Sequence, residues 1–196
     1  MEYAMKKQVI LAAMLSFALV GCGLSPQQIT PAPRIQADFA RVAQGQAVQV
    51  RVVDGRSTDV VGSRGGAYPN TSLIRVDGQR LLPRLQAETD VALRAQGFNP
   101  GVQVHQGAQL LLTLKELSYK VPANSGVGSK ANVSATFQVD VENRGRRYSG
   151  RYAASMSQGF ATAPSAAANE KLLSEVLSDA LQRVFKDQAV SRLLAE

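Results

Sequence analysis

The sequence predicts an α+β domain built on a largely antiparallel sheet of about five strands with two helices packed on one face, preceded by a cleaved signal peptide and a flexible tether. Three patterns carry that reading. Apolar residues alternate from 133 to 156 with one interruption at Asn143-Arg144-Gly145-Arg146, the signature of a long hairpin. Helical-period stripes cover 82–96 and 172–185. An apolar run near the amino end closes on a cysteine. At 196 residues and 20.9 kDa the chain fits one domain plus tails.

Met5-Lys6-Lys7 is a short cationic region, and Val9 to Leu19 is apolar apart from Ser16, which together read as a secretory signal. Glu2 sits badly in such a region, and Met5 would open a conventional signal by itself. The run is shorter than the ~20 apolar residues a permanent span needs. Leu19-Val20-Gly21-Cys22 resembles the bacterial lipobox, in which the cysteine thiol is diacylated, the segment before it is removed, and the new amino group is acylated. Three acyl chains hold far more firmly than one. Cys22 is the only cysteine, so neither an internal disulfide nor a thiol metal site is available. Gly23 stands where an aspartate would signal retention in the inner membrane, so the motif implies the outer membrane, with the domain facing the periplasm.

Residues 22–46 are expected to be a lipidated cysteine and tether, with Pro26, Pro31 and Pro33 among Ser, Thr, Gln and Gly and no sustained period. Such a stretch could hold the domain several tens of ångströms from the lipid, although Ile35 and Phe39 could dock on the core. The domain itself is expected over 47–196. Ala47 to Val53 alternates as a half-buried strand ending at Asp54-Gly55-Arg56. Residues 62–70, rich in glycine, read as a mobile loop, and Ser72 to Val76 as a short strand.

From Leu81 the period becomes helical: Leu82, Leu85, Thr89, Ala92, Leu93 and Gln96 form a stripe while Arg84, Glu88, Asp90 and Arg94 face outward. Pro83 suits the first turn, and Gly97 the C-terminal cap with Phe98 closing it. Gln109 to Tyr119 is apolar on both faces and reads as a central strand. Residues 122–130 form a second flexible loop. In the hairpin that follows, a two-residue Arg144-Gly145 turn sets Val141 against Tyr148 and Phe137 against Tyr152. The final helix starts near 164–168 and runs through Phe185, with an apolar stripe broad enough to cover a sheet.

The lipobox, Val52-x-Asp54-x-Arg56 at the end of the first strand, the Leu81-Leu82 helix closing at Gly97-Phe98, and the long hairpin before an apolar helix resemble the YajG-like family of uncharacterised bacterial lipoproteins over nearly the whole chain. The resemblance implies an outer-membrane lipoprotein with no established enzymatic activity. The glycine-rich stretch at 62–70 departs from the family pattern.

Catalysis and cofactors are argued against by elimination. Ser-His-Asp and Cys-His hydrolysis need a base, and the single histidine, His105, falls beside Gly107 in an expected loop or strand edge. Metal binding would have to rely on carboxylates, and no acidic loop of calcium-site spacing occurs. Gly62-x-x-Gly65-Gly66 lacks the Gly-Lys-Ser/Thr ending of a phosphate loop. Glu88 and Asp90 read as a solvated face.

With Lys+Arg 22 against Asp+Glu 15 the chain carries +7; residues 1–21 hold Lys6, Lys7 and Glu2, so the mature chain keeps 20 minus 14, or +6. That suits an anionic surface. Export makes nucleic acid an improbable target, and the absence of Trp with only 6% aromatics argues against a stacking platform. Two candidate binding groups stand out. Asp54 and Arg56 share one side of an extended segment and could meet a ligand, although Asp54 bonding turn amides beside a salt-bridged or solvated Arg56 is the favoured reading. Arg144, Arg146, Arg147 and Arg151 at the hairpin tip could grip phosphates or glycan carboxylates, or simply keep the turn soluble. The expected function is therefore a non-catalytic envelope protein that binds a protein partner through its sheet edge or helix groove. The alternative is a binder of anionic lipid or peptidoglycan fragments through the arginine-rich hairpin.

Overall fold

The computed structural model describes residues 25–36, 38–66, 68–101, 107–122 and 129–196. The expected signal peptide, Cys22, His105 and positions 123–128 of the second expected loop lie outside the described residues.

The sheet is larger than expected and mixed: eight strands among the described residues, organised around β6 (Ala108–Lys120). One edge of β6 pairs antiparallel with β7 (Ser129–Asn143), which pairs antiparallel with β8 (Arg146–Phe160). Its other edge is shared. β2 (Ala47–Asp54) runs parallel to its first half, and β3 (Val60–Ser63) meets it in parallel at Gly62 and Tyr119. The two-residue β5 (Asn99–Pro100) flanks β2; β4 (Leu73–Val76) flanks β3 in antiparallel, and β1 (Gln27–Ile29) runs parallel to β4. Five antiparallel strands were expected because local alternation reveals strands but not partners. The parallel β2–β6 pairing joins residues 60 apart, from Val48↔Ala108 to Asp54↔Leu114.

The hairpin matches its expected register, with Val141 opposite Tyr148 and Phe137 opposite Tyr152. Arg144 and Gly145 both have positive φ, 48° and 78°, which gives the turn the twist that two-residue hairpins need. β6 carries a bulge between Leu114 and Glu116, and the extra residue lets both Leu114 and Leu117 point into the core three positions apart. Part of the expected 62–70 loop is ordered instead, since Gly62 and Ser63 belong to β3. At Gly62 a Cβ would lie 1.8 Å from the Tyr119 carbonyl oxygen, so the strands can meet only with glycine there.

Among the described residues three helices cover one face, not two. α1 (Gly78–Ala95) starts four residues before the expected stripe opens at Leu82, capped by the Asp77 carboxylate on the Gln79 N–H at 2.8 Å, which places Pro83 inside the helix, beyond its first turn. Its end is as expected: Gly97 and Phe98 donate to the Arg94 and Leu93 carbonyls, and Phe98 is buried. α2 (Ala166–Lys186) buries its whole stripe from Leu172 to Phe185, and a short α3 (Gln188–Ala195) closes the chain over β7 and β8. Phe137 and Leu177, both without exposed surface, belong to the single core between the layers.

From Ser25 on, the described part of the segment expected to be a tether belongs to the body. Ala32 N–H and Arg34 N–H donate to Ser174 Oγ (2.9 Å) and Ser178 Oγ (2.8 Å), and Gln36 exchanges bonds with the Gln182 amide (3.1 and 3.0 Å). The match is geometric: two extended residues advance ~6.6 Å and four helical residues ~6.0 Å, so strap positions 32, 34 and 36 keep pace with helix positions 174, 178 and 182. The strap is also held from α1. Glu88, expected on the solvent side, is 6% exposed; it accepts the Ile35 N–H at 2.8 Å and pairs with Arg34 at 3.0 Å. Phe39 packs edge-on against Phe185, and Val42 and Ala43 donate to the Gln96 carbonyl.

Candidate functional site

The four hairpin arginines do not form one cluster. Strand alternation sends Arg147 and Arg151 to the helix-free face, Arg146 to the helix side, and leaves Arg144 at the turn. Two of them are partnered: Arg146 forms an ion pair with the Glu196 side chain, and Arg147 with Glu142 at 3.0 Å. An open groove on the helix-free face runs past Gln109, Leu111, Asp140, Glu142, Arg147 and Ser149. Its two carboxylates oppose an anionic ligand there.

Asp54 and Arg56 do come together, with each other. The guanidinium is bidentate on the carboxylate, Nε at 2.9 Å and Nη2 at 2.7 Å, while Nη2 also donates to the Val76 carbonyl at 3.0 Å. Only 5% of the Arg56 side chain is exposed, and its Nη1 is buried with no partner among the described residues. Burial works to raise the Asp54 pKa, but the hydrogen bonds and charge of Arg56 outweigh it and hold the carboxyl below its ordinary value. The pair ties the end of β2 to the end of β4.

At the strap end a buried chain of polar groups links the sheet to α2. Tyr119 Oη donates to Asn169 Oδ1 at 2.8 Å, and the Asn169 amide meets the Gln27 amide of β1 at 2.8 Å. Burial pushes the Tyr119 phenol up to about 12. Arg64 completes the tie, donating to the Ser25 and Pro164 carbonyls at 3.0 and 3.2 Å. Sequence reasoning missed Gln27, Glu88, Asn169, Ser174, Ser178 and Gln182 as holders of the amino-terminal strap. The one legible hint was the i, i+4, i+8 row of Ser174, Ser178 and Gln182 along α2.

The free edge of β8 is the other distinctive surface. Among the described residues β8 pairs only with β7, in an unbroken register of fifteen residues without a bulge. Because Asn143 and Arg146 close the turn as a bonded pair, alternation aims the backbone groups of the odd residues, Arg147 to Gly159, away from β7. Nothing among the described residues hydrogen-bonds them through the backbone across that edge. From Tyr152 to Phe160 the strand carries no charge and no proline.

No group of three or more His, Cys, Asp or Glu side chains that could hold a metal ion occurs among the described residues. No described helix is long and apolar enough to cross a membrane.

None of the curated proteins matches the chain. Among solved structures, a crystal structure of a Xanthomonas campestris protein is similar at 11% identity and a TM-score of 0.47, covering 86% of this chain and 95% of that one. A minor lipoprotein from Acinetobacter baumannii is similar at 13% identity and a TM-score of 0.45, covering 77% and 96%. A family described as uncharacterized lipoprotein matches residues 33–195, nearly all of the folded body. The chain therefore belongs to the YajG-like family of uncharacterised bacterial lipoproteins.

Proposed function

We propose that this lipoprotein is anchored to the outer membrane through acyl chains on Cys22 and acts without catalysis, binding an envelope protein that adds a strand to the free edge of β8. The observation that carries the reading is that edge. Sheets usually blunt an exposed edge with charges, proline, a bulge or short length, because a bare row of N–H and C=O groups recruits other strands. Here the opposite edge is blunted, by the three-residue β1 and two-residue β5. β8 has fifteen residues, no bulge, and no charge beyond Arg151. Ala153, Ser155, Ser157 and Gly159 keep the outward side small, so an incoming backbone meets little steric resistance. The helix-side groove supports the reading less well, because the strap already fills it.

A photo-crosslinking residue at Ser157, introduced into the protein in intact cells, tests this. The expected result is one discrete adduct with a second protein species, lost when Ser155→Pro removes an outward donor without touching the β7–β8 ladder. An absent adduct, an adduct indifferent to Ser155→Pro, or an adduct of twice the chain's own mass contradicts the proposal.

A further inference from the structure

The strap also fixes how the body stands on the membrane, given the Cys22 anchor proposed above. β1 begins at Gln27, and Ser25 is already held by Arg64. From Cys22 to Ser25 there are only three peptide steps, at most about 11 Å when fully extended. A tether of several tens of ångströms does not exist, so the end of the sheet that carries Ser25 cannot leave the headgroup region.

Strand directions identify that end. Gln27 of β1 is level with Ile74, which pairs with Gly62, which pairs with Tyr119. Lys120 opposes Asn132, and the same end holds Lys130, the turn around Pro69 and the exit of β8 at Phe160. The described segments gathered there, 25–28, 63–66, 68–73, 118–122, 129–134 and 155–168, contain Arg64, Lys120 and Lys130 and no Asp or Glu. Tyr68 projects from the same end with 71% of its surface exposed, the largest value among the exposed large apolar and aromatic residues described. The other end of the hairpin, fourteen steps along β7 and about 45 Å away, mixes Arg144, Arg146 and Arg147 with Asp140, Glu142 and Glu196.

We infer that the Ser25 end of the sheet is a membrane-docking surface, with Lys120 and Lys130 against lipid phosphates and Tyr68 at headgroup depth, and that the Arg144 turn points away from the anchoring bilayer. The charge pattern fits: unpaired lysines near an anionic surface attract, and an exposed tyrosine ring is suited to an interface with one wet and one apolar side. The acid-free end faces the lipid, and the end whose arginines are neutralised by carboxylates faces outward. The arginine tip is then too distant to bind lipid of its own membrane, and the β8 edge stands roughly along the membrane normal, reachable by a partner from either end.

The chain's single, acylated cysteine makes the test direct, because any added thiol is the only free one. Asn70→Cys, Ala161→Cys and Arg147→Cys are each introduced into the full lipidated protein, labelled with a fluorophore and reconstituted in vesicles of phosphatidylethanolamine and phosphatidylglycerol containing a headgroup quencher. The expected result is quenching several-fold stronger at 70 and 161 than at 147. Equal quenching at both ends, or stronger quenching at 147, overturns the orientation while leaving the anchor intact. The same labelled chains with Cys22→Ser are expected to leave the vesicles in high salt, which screens any hold through Lys120 and Lys130; if they stay bound there, the anchor itself is refuted, and that outcome is separate from the orientation result.

Discussion

The hydroxyls of Tyr148 and Tyr152, on one face of β8, lie 3.0 Å apart and converge on Oδ2 of Asp187, at 2.8 and 2.6 Å. They meet over Gly150, and Asp187 sits at the joint between α2 and α3, where its other oxygen caps the Ala189 N–H at 2.7 Å. One carboxylate thus fastens the strand that carries the free edge to the helical layer. Burial and the Asp187 carboxylate together raise the Tyr152 phenol far above its ordinary value.

Gly150→Ala is expected to destabilise the fold. Alanine is ordinarily better than glycine within a strand by ~0.5–1 kcal/mol. Here a Cβ would stand 2.7 Å from the Tyr152 hydroxyl and 2.9 Å from that of Tyr148, and both are pinned by Asp187. Overpacking of this kind costs ~1–3 kcal/mol, so a net loss of about 1 kcal/mol should appear in the denaturant midpoint. A higher midpoint would show that the tyrosine pair yields freely.

Asp187→Asn should cost about 1.5–3 kcal/mol at neutral pH, the range for hydrogen bonds to a charged group. Burial tends to raise the Asp187 pKa, but the bonds from Tyr152, the Ala189 N–H and Tyr148 prevail and lower it from 3.8. A depressed carboxyl contributes stability that is present above its unfolded value and lost as pH falls through the folded one. The gap between wild type and variant should be constant near neutrality and close below about pH 4, as measured by chemical denaturation across pH. A gap that widens in acid would reverse the assignment.

Glu88→Ala removes the acceptor of the Ile35 N–H and the partner of Arg34. Arg34 is 83% exposed, so the ion pair itself contributes little; the backbone bond to a buried carboxylate carries most of the effect, ~1–3 kcal/mol. Limited proteolysis should then cut within 30–42 much faster than in wild type. Equal cleavage would mean that Ser174, Ser178 and Gln182 hold the strap alone.

Phe137→Ala and Leu177→Ala should each lower stability by ~2–5 kcal/mol, since both side chains are fully buried on facing layers. Unchanged thermal midpoints for both would contradict the packing of α2 on the hairpin.

What the sequence made legible was local. The 133–156 alternation, the Arg144-Gly145 turn, the Gly97-Phe98 cap and the α2 stripe all depend on residues within a few positions of one another, and all four are present in the fold. The strap was not legible, because its bonds to Ser174, Ser178 and Gln182 span more than 140 residues and its prolines mimic a linker. Glu88 misled for a related reason: a carboxylate on a helix looks solvated until a distant backbone N–H comes to meet it. Of the candidate site residues, Asp54 and Arg56 could be paired from their spacing, whereas the dispersal of the four arginines over two faces and a turn follows from an alternation that was readable but not applied to them.

The anchor underlies the account of location, orientation and reach, and fractionation of cells expressing wild type or Cys22→Ser tests it most directly. Wild type is expected in washed outer membranes, with a mature mass that begins at Cys22 and includes its acyl chains. The variant is expected in the soluble periplasmic fraction. Continued partition of Cys22→Ser with washed membranes, or an unacylated wild-type cysteine, would contradict the account.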